Sequence, residues 1–121
     1  MWPTHCVQNT HGADWHPLCP LRPGEIVVDK GTLERVDSYS GFGSHPEDTG
    51  LLKELLAREV TEIYCVGLAL DYCVGSTACD GAKNGFKTYL ITDATKSVNP
   101  STEALMLDRL KAAGVILVTS D

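Results

Sequence analysis

Apolar and polar positions along this chain follow two different periods, and the switches between them mark its elements. Glu25–Asp29 (Glu-Ile-Val-Val-Asp) is a short β-branched run closed by Lys30-Gly31, the pattern of a strand. Thr49 to Arg58 puts Leu51, Leu52, Leu55 and Leu56 on one face, which predicts an amphipathic helix. Ile63 opens a buried strand, and Gly67 marks the turn out of it. From Tyr72 the period changes, with Val74, Ala78 and Ala82 at helical spacing, and Asn84-Gly85 supplies a C-cap. Lys87–Ile91 predicts the next strand and Asp93–Pro100 its exit loop. Pro100-Ser101 opens a helix whose apolar face uses Ala104, Leu105, Leu107 and Leu110 and which stops at Gly114. Val115–Val118 is the last strand. This alternation predicts an α/β chain with a parallel sheet and helices packed on its faces. Ligands of such sheets bind beyond the carboxyl ends of strands, where Lys30 and Cys73 both fall.

Residues 1–24 break the pattern, holding four of the six prolines and three of the four histidines. An irregular stretch of that length is either functional or in need of further structural context. The loop Asp37-Ser-Tyr-Ser-Gly-Phe-Gly43 has glycines where the backbone must bend. With 121 residues, 43% hydrophobic and 21% charged, the composition is that of one soluble globular unit. A net charge of −6 argues against nucleic acid and against an anionic membrane surface as partners. Five cysteines with neither a disulfide framework nor a C-x-x-C pair point to a reducing, intracellular and cytoplasmic setting. No apolar stretch reaches membrane-spanning length, and the opening residues lack the regions of a signal peptide.

Cys73 lies at a strand-to-helix junction, in the first turn of the predicted helix. Unpaired N–H groups and the positive end of the helix dipole favour a thiolate there and can steady a developing oxyanion. Cys6, Cys19, Cys65 and Cys79 have no such context and are read as inert. Lys30, at the end of the preceding strand, is either a solvated surface charge or the companion that stabilises a thiolate and a bound carbonyl. His5, His11 and His16 are potential metal ligands, but their spacings fit no standard zinc signature. From the residues alone, the chain is an α/β protein with a candidate thiol-dependent acyl-transfer site.

Gly67-Leu-Ala-Leu-Asp-Tyr-Cys-Val74 resembles the nucleophile segment of the isochorismatase-like cysteine hydrolases. Trp2-Pro-Thr-His-Cys-Val-Gln-Asn-Thr-His-Gly-Ala13 with His16-Pro17 resembles the metal-site segment of the nicotinamidase branch. Asp29-Lys-Gly-Thr32 and Asp37-Ser-Tyr-Ser-Gly-Phe42 resemble that branch's lysine segment and substrate loop. The resemblance implies a three-layer α/β/α fold and hydrolysis of nicotinamide to nicotinate and ammonia, a step of NAD salvage. It makes Cys73 the nucleophile that carries a thioester, Lys30 the catalytic lysine and His5 one ligand of a divalent metal, with zinc expected and iron or manganese as alternatives. It further implies a cis peptide at Leu68–Ala69, an oxyanion hole from the backbone amides of Ala69 and Cys73, and a pocket wall of Trp2, Tyr39 and Tyr72. The substrate would be nicotinamide or a close analogue such as pyrazinamide, and a homo-oligomer is left open.

One departure is large. The family's general-base Asp and an Asp-x-His pair of metal ligands lie upstream of the Trp-Pro-x-His-Cys segment, which here starts at Trp2. Asp29 reads as an ordinary strand-end residue, and Asp71 matches the acidic position before the nucleophile. The expectation is therefore that residues 1–121 are the C-terminal portion of an isochorismatase-like domain, lacking its N-terminal strands and inactive alone. Two alternatives stay open. One is another isochorismatase-like hydrolase of small amides; the other is a non-catalytic truncated isoform that pairs with a full-length subunit.

Overall fold

The computed structural model describes residues 2–121. Three parallel strands, β1 (Glu62–Leu68), β2 (Lys87–Lys96) and β3 (Ile116–Val118), lie side by side in that order. Each is joined to the next through a helix, α2 (Gly75–Lys83) after β1 and α3 (Pro100–Ala113) after β2. A shorter helix, α1 (Leu51–Ala57), precedes the sheet. Tyr64 pairs with Tyr89 and Tyr89 with Ile116, so each strand presents matched residues to the same face. The core lies under the other face, where Leu90, Val115 and the half-buried Cys65 and Leu117 meet Leu70, Val74, Ala78, Met106 and Leu110. Side chains alternate across a strand. Tyr64, Val66 and Leu68 therefore point away from these helices, and all three are exposed, Leu68 by 75%.

The ends of the elements follow the expected chemistry. The Asn99 side chain accepts the Ser101 N–H at 2.8 Å and caps α3, with Pro100 in its first turn. Gly114 closes α3 at φ 86°, a left-handed conformation that glycine adopts at little cost. The buried stripe of α3 is Met106 and Leu110 with Leu107 beside them, whereas Ala104 and Leu105 are exposed. Apolar residues occupy 104 through 107 without a break, so periodicity alone cannot choose the stripe. Gly75 chooses it. A Cβ there would collide with the Leu70 carbonyl oxygen and would lie 2.5 Å from the Met106 side chain, so Met106 fills the space that glycine leaves.

Three other expectations are corrected. Glu25–Asp29 belongs to no ladder, and Ile26 and Val27 are exposed; a β-branched run becomes a strand only when a neighbour takes its backbone groups. Within α1, Leu56 points outward and no residue is buried. β2 runs on through the predicted exit loop to Lys96, because Thr95 and Lys96 pair with Gly67 and Leu68 beyond a bulge. Residues 2–24 are irregular as expected, with one 3-10 turn, His11–Ala13, among the described residues. No helix among the described residues is long and apolar enough to cross a membrane.

The strand-to-helix junction is held by Asp71, a buried carboxylate. It accepts the N–H groups of Val98 (3.0 Å) and Asn99 (3.1 Å) and the Thr102 hydroxyl (2.6 Å). Burial alone would push its carboxyl up, but these donors outweigh burial and hold it below the ordinary 3.8. Its stabilising contribution is thus complete above that value and is lost as the pH falls through the lower folded-state value. Asp71→Asn is expected to lower unfolding free energy by about 1–2 kcal/mol at neutral pH. The variant should also lose part of the acid dependence below the ordinary carboxylate range, as read by urea unfolding at stepped pH. Gly75→Ala is expected to cost about 1–3 kcal/mol by the same measurement, since the added methyl displaces Met106 or the Leu70 carbonyl.

Candidate active site

At the carboxyl end of β1 the chain reverses direction in a few residues. Gly67 has φ 107°, the Leu68–Ala69 peptide is cis, and Leu70–Val74 forms one wide π-type turn that runs directly into α2. The Ala69 carbonyl closes this turn by accepting the N–H groups of Tyr72 (3.2 Å) and Val74 (3.0 Å). Cys73 is therefore in the π turn ahead of α2 and not in the first regular turn of the helix. The cis bond falls where the resemblance implied it. A second cis peptide joins His45 to Pro46.

Lys30 reaches Cys73 across 43 residues of sequence, its Nζ 3.3 Å from the sulfur, and also donates to the Ser38 carbonyl at 3.2 Å. Of the two readings of Lys30, the geometry favours the companion of the thiol. Beside the pair stand three aromatic rings. The Trp2 indole N–H donates to the Tyr39 hydroxyl at 3.1 Å, and Tyr72 packs edge-on to Trp2 at 4.9 Å and tilted to Tyr39 at 5.6 Å. His5 lies next to Trp2, with ring centroids 6.4 Å apart. Contacts thus join Lys30 to Cys73, link Trp2, Tyr39 and Tyr72 to one another, and set His5 beside Trp2, with Tyr72 next to Cys73 in the π turn.

The remaining cysteines fall outside this cluster, and all five are free thiols. Burial pushes the Cys65 thiol up to about 11 and raises that of Cys79 as well, which suits inert packing residues. Neither Asp29 nor Asp71 hydrogen-bonds to the Cys73 sulfur among the described residues, and Asp71 is committed to its donors.

For a metal, His5 is a suitable single donor. Its Nδ1 lies 2.6 Å from the Pro3 carbonyl oxygen, which can only accept, so Nε2 is the ring atom that could face a metal. His11 instead faces Asp14 at 3.3 Å, and His16 accepts the Leu18 N–H. Among the described residues no three His, Cys, Asp or Glu side chains converge on one point, so these residues do not make a metal site by themselves.

Sequence reasoning missed Glu47. Its buried carboxylate accepts the N–H groups of Gly31 (2.9 Å) and Thr32 (2.8 Å) and the Thr32 hydroxyl (2.9 Å). The Ser38 hydroxyl beside it, short of a well-aligned hydrogen bond, and these two N–H groups pull its carboxyl down to about 2. In sequence it is one of two adjacent acids in the polar loop Ser-His-Pro-Glu-Asp, which reads as solvent-facing; only the adjoining Pro46 marks the loop as structured.

The sequence pattern of the isochorismatase domain matches residues 1–121. The nicotinamidase/pyrazinamidase of Mycobacterium tuberculosis is 41% identical over 120 residues, a match that takes in 98% of this chain and 63% of that protein. The crystal structure of PnC1 from L. infantum in complex with nicotinate superimposes with a TM-score of 0.94 at 36% identity, covering 99% of this chain and 61% of that one. The pyrazinamidase of Pyrococcus horikoshii, solved in complex with zinc, gives a TM-score of 0.88 at 39% identity, over 98% of this chain and 63% of that one. The chain thus spans less than two thirds of the proteins it matches. By sequence over its whole length and by its parallel sheet with flanking helices, it belongs to the isochorismatase domain family.

Proposed function

We propose that these residues carry the nucleophile, the catalytic lysine and the aromatic wall of a nicotinamidase-type amidohydrolase. The Lys30 ammonium on the Cys73 sulfur at 3.3 Å, beside Trp2, Tyr39 and Tyr72, is the observation that supports this reading most directly. In the reaction the Cys73 thiolate adds to the carboxamide carbon of nicotinamide. The C–N bond breaks, ammonia leaves with the proton given up by the thiol, and the nicotinoyl group stays on sulfur as a thioester. Water then attacks the thioester, releasing nicotinate and restoring the thiol.

Lys30 holds negative charge on the sulfur and meets the charge that develops on the amide. The N–H groups of Ala69 and Cys73 are assigned to the carbonyl oxygen. The aromatic wall suits a flat pyridine ring: Trp2 and Tyr72 present faces and edges to a planar amide, and the Trp2–Tyr39 hydrogen bond fixes the indole. Proton transfer needs a carboxylate, and the resemblance places that Asp N-terminal to Trp2. His5 would supply one donor to a divalent metal, zinc foremost, which when bound would help to orient the pyridine ring.

An activated nicotinoyl ester needs no general base and tests the nucleophile directly. Peptide mass spectrometry should find the nicotinoyl group on Cys73 in preference to the other cysteines, and Cys73→Ala should lose it. Acylation spread evenly over the cysteines would overturn the assignment. The purified chain is expected to release no ammonia from nicotinamide; release would show that the base lies within these residues. Trp2→Ala is expected to weaken nicotinate binding roughly two- to tenfold by calorimetry, the range of one aromatic contact.

A further inference from the structure

We propose that Glu47 is the positioning residue for Lys30, fixing the backbone beside the lysine so that its ammonium rests on the Cys73 sulfur. The inference depends on the reading of Cys73 and Lys30 just given. Lys30 has a long side chain whose rotamer freedom must be given up to fix it, and it is exposed. Its own segment, Glu25 to Lys30, has no ladder to hold it. What holds it is the carboxylate of Glu47, whose donors all come from Gly31 and Thr32, the two residues that follow Lys30.

The same carboxylate lies against Ser38, whose carbonyl takes the Lys30 ammonium. One side chain therefore ties down the lysine end of the loop that runs from Lys30 to its second partner. The loop bearing Glu47 is itself tightly built. The Glu47 N–H donates to the Ser44 carbonyl at 2.6 Å, and a Cβ on Gly43 would collide with the Glu47 carbonyl oxygen.

Glu47 also lacks the usual reason for a buried acid, a cation. His45 and Asp48 on its own loop, Lys53 of α1, and Asp80 and Lys83 of α2 line one groove with it, yet none pairs with it among the described residues. Backbone and hydroxyl donors alone satisfy it. Three donors on one carboxylate need an acceptor-only group, and a Gln amide would turn an N–H against one of them.

The test is the rate at which iodoacetamide alkylates Cys73 in the intact chain at neutral pH, followed on the Cys73 peptide by mass spectrometry. Glu47→Gln is expected to slow it roughly three- to tenfold, and Lys30→Met at least as much, since each removes the ammonium from the sulfur. In the double variant the Glu47 change should add nothing further, because its effect passes through Lys30. Glu47→Asp should recover part of the lost rate. Should Glu47→Gln fail to fold, Thr32→Val removes only the hydroxyl contact and should slow alkylation in the same direction. An unchanged rate in Glu47→Gln, or an equal slowing with and without Lys30, would overturn the proposal. If Lys30→Met alone leaves the rate unchanged, the Lys30–Cys73 pairing fails and takes the proposal with it.

Discussion

One carboxylate sets the geometry on which Cys73 depends. Asp71 lies in the π turn that carries Cys73, and its acceptors reach the end of β2 and the start of α3. A buried carboxylate is tolerated only where donors replace water, and three donors from a single neighbouring segment do so here. The consequence is mechanical. The turn after β1 cannot move without the entry to α3, and α3 is locked to α2 where Met106 fits against Gly75. Cys73 therefore rides on the best-packed part of the molecule.

The lysine half of the site is held by a different kind of force. Lys30 comes from a segment with no ladder and little burial, so hydrogen bonds to one acid do the work that packing does around Cys73. Both halves use an anion to gather backbone N–H groups. Yet one anchors a junction inside the core, and the other ties a loop across open surface. The two halves should differ in local stability, the Cys73 turn opening with the core and the Lys30 loop opening on its own.

Much of this was legible in the sequence because it rests on local rules. Asn99, Pro100 and Gly114 bound α3 by capping chemistry that any single chain displays. The junction carrying Cys73 was recognisable from the change of period after β1, while Trp2, Tyr39 and Tyr72, whose rings meet in the structure, were named by the resemblance of separate segments. What the sequence hid depends on contacts between distant residues. Leu105 and Met106 are equally apolar, and only Gly75 on another helix decides which is buried. Glu25–Asp29 carries every mark of a strand, but a ladder needs a partner that local pattern does not supply. Glu47 was invisible for the same reason, since its meaning lies with Gly31 and Thr32 across a loop.

The face of the sheet turned away from α2 and α3 has a consequence for handling the chain. Tyr64 and Tyr89 stack at 4.6 Å in a row that continues to Ile116, with Val66 and Leu68 alongside, and β1 ends the sheet with an unpaired edge among the described residues. An apolar row beside an open edge is a template for the next molecule. Self-association driven by such a surface rises with concentration, while the net charge of −6 opposes it only as long as salt is low. For this chain, dilution and low ionic strength therefore both act against self-association through that face.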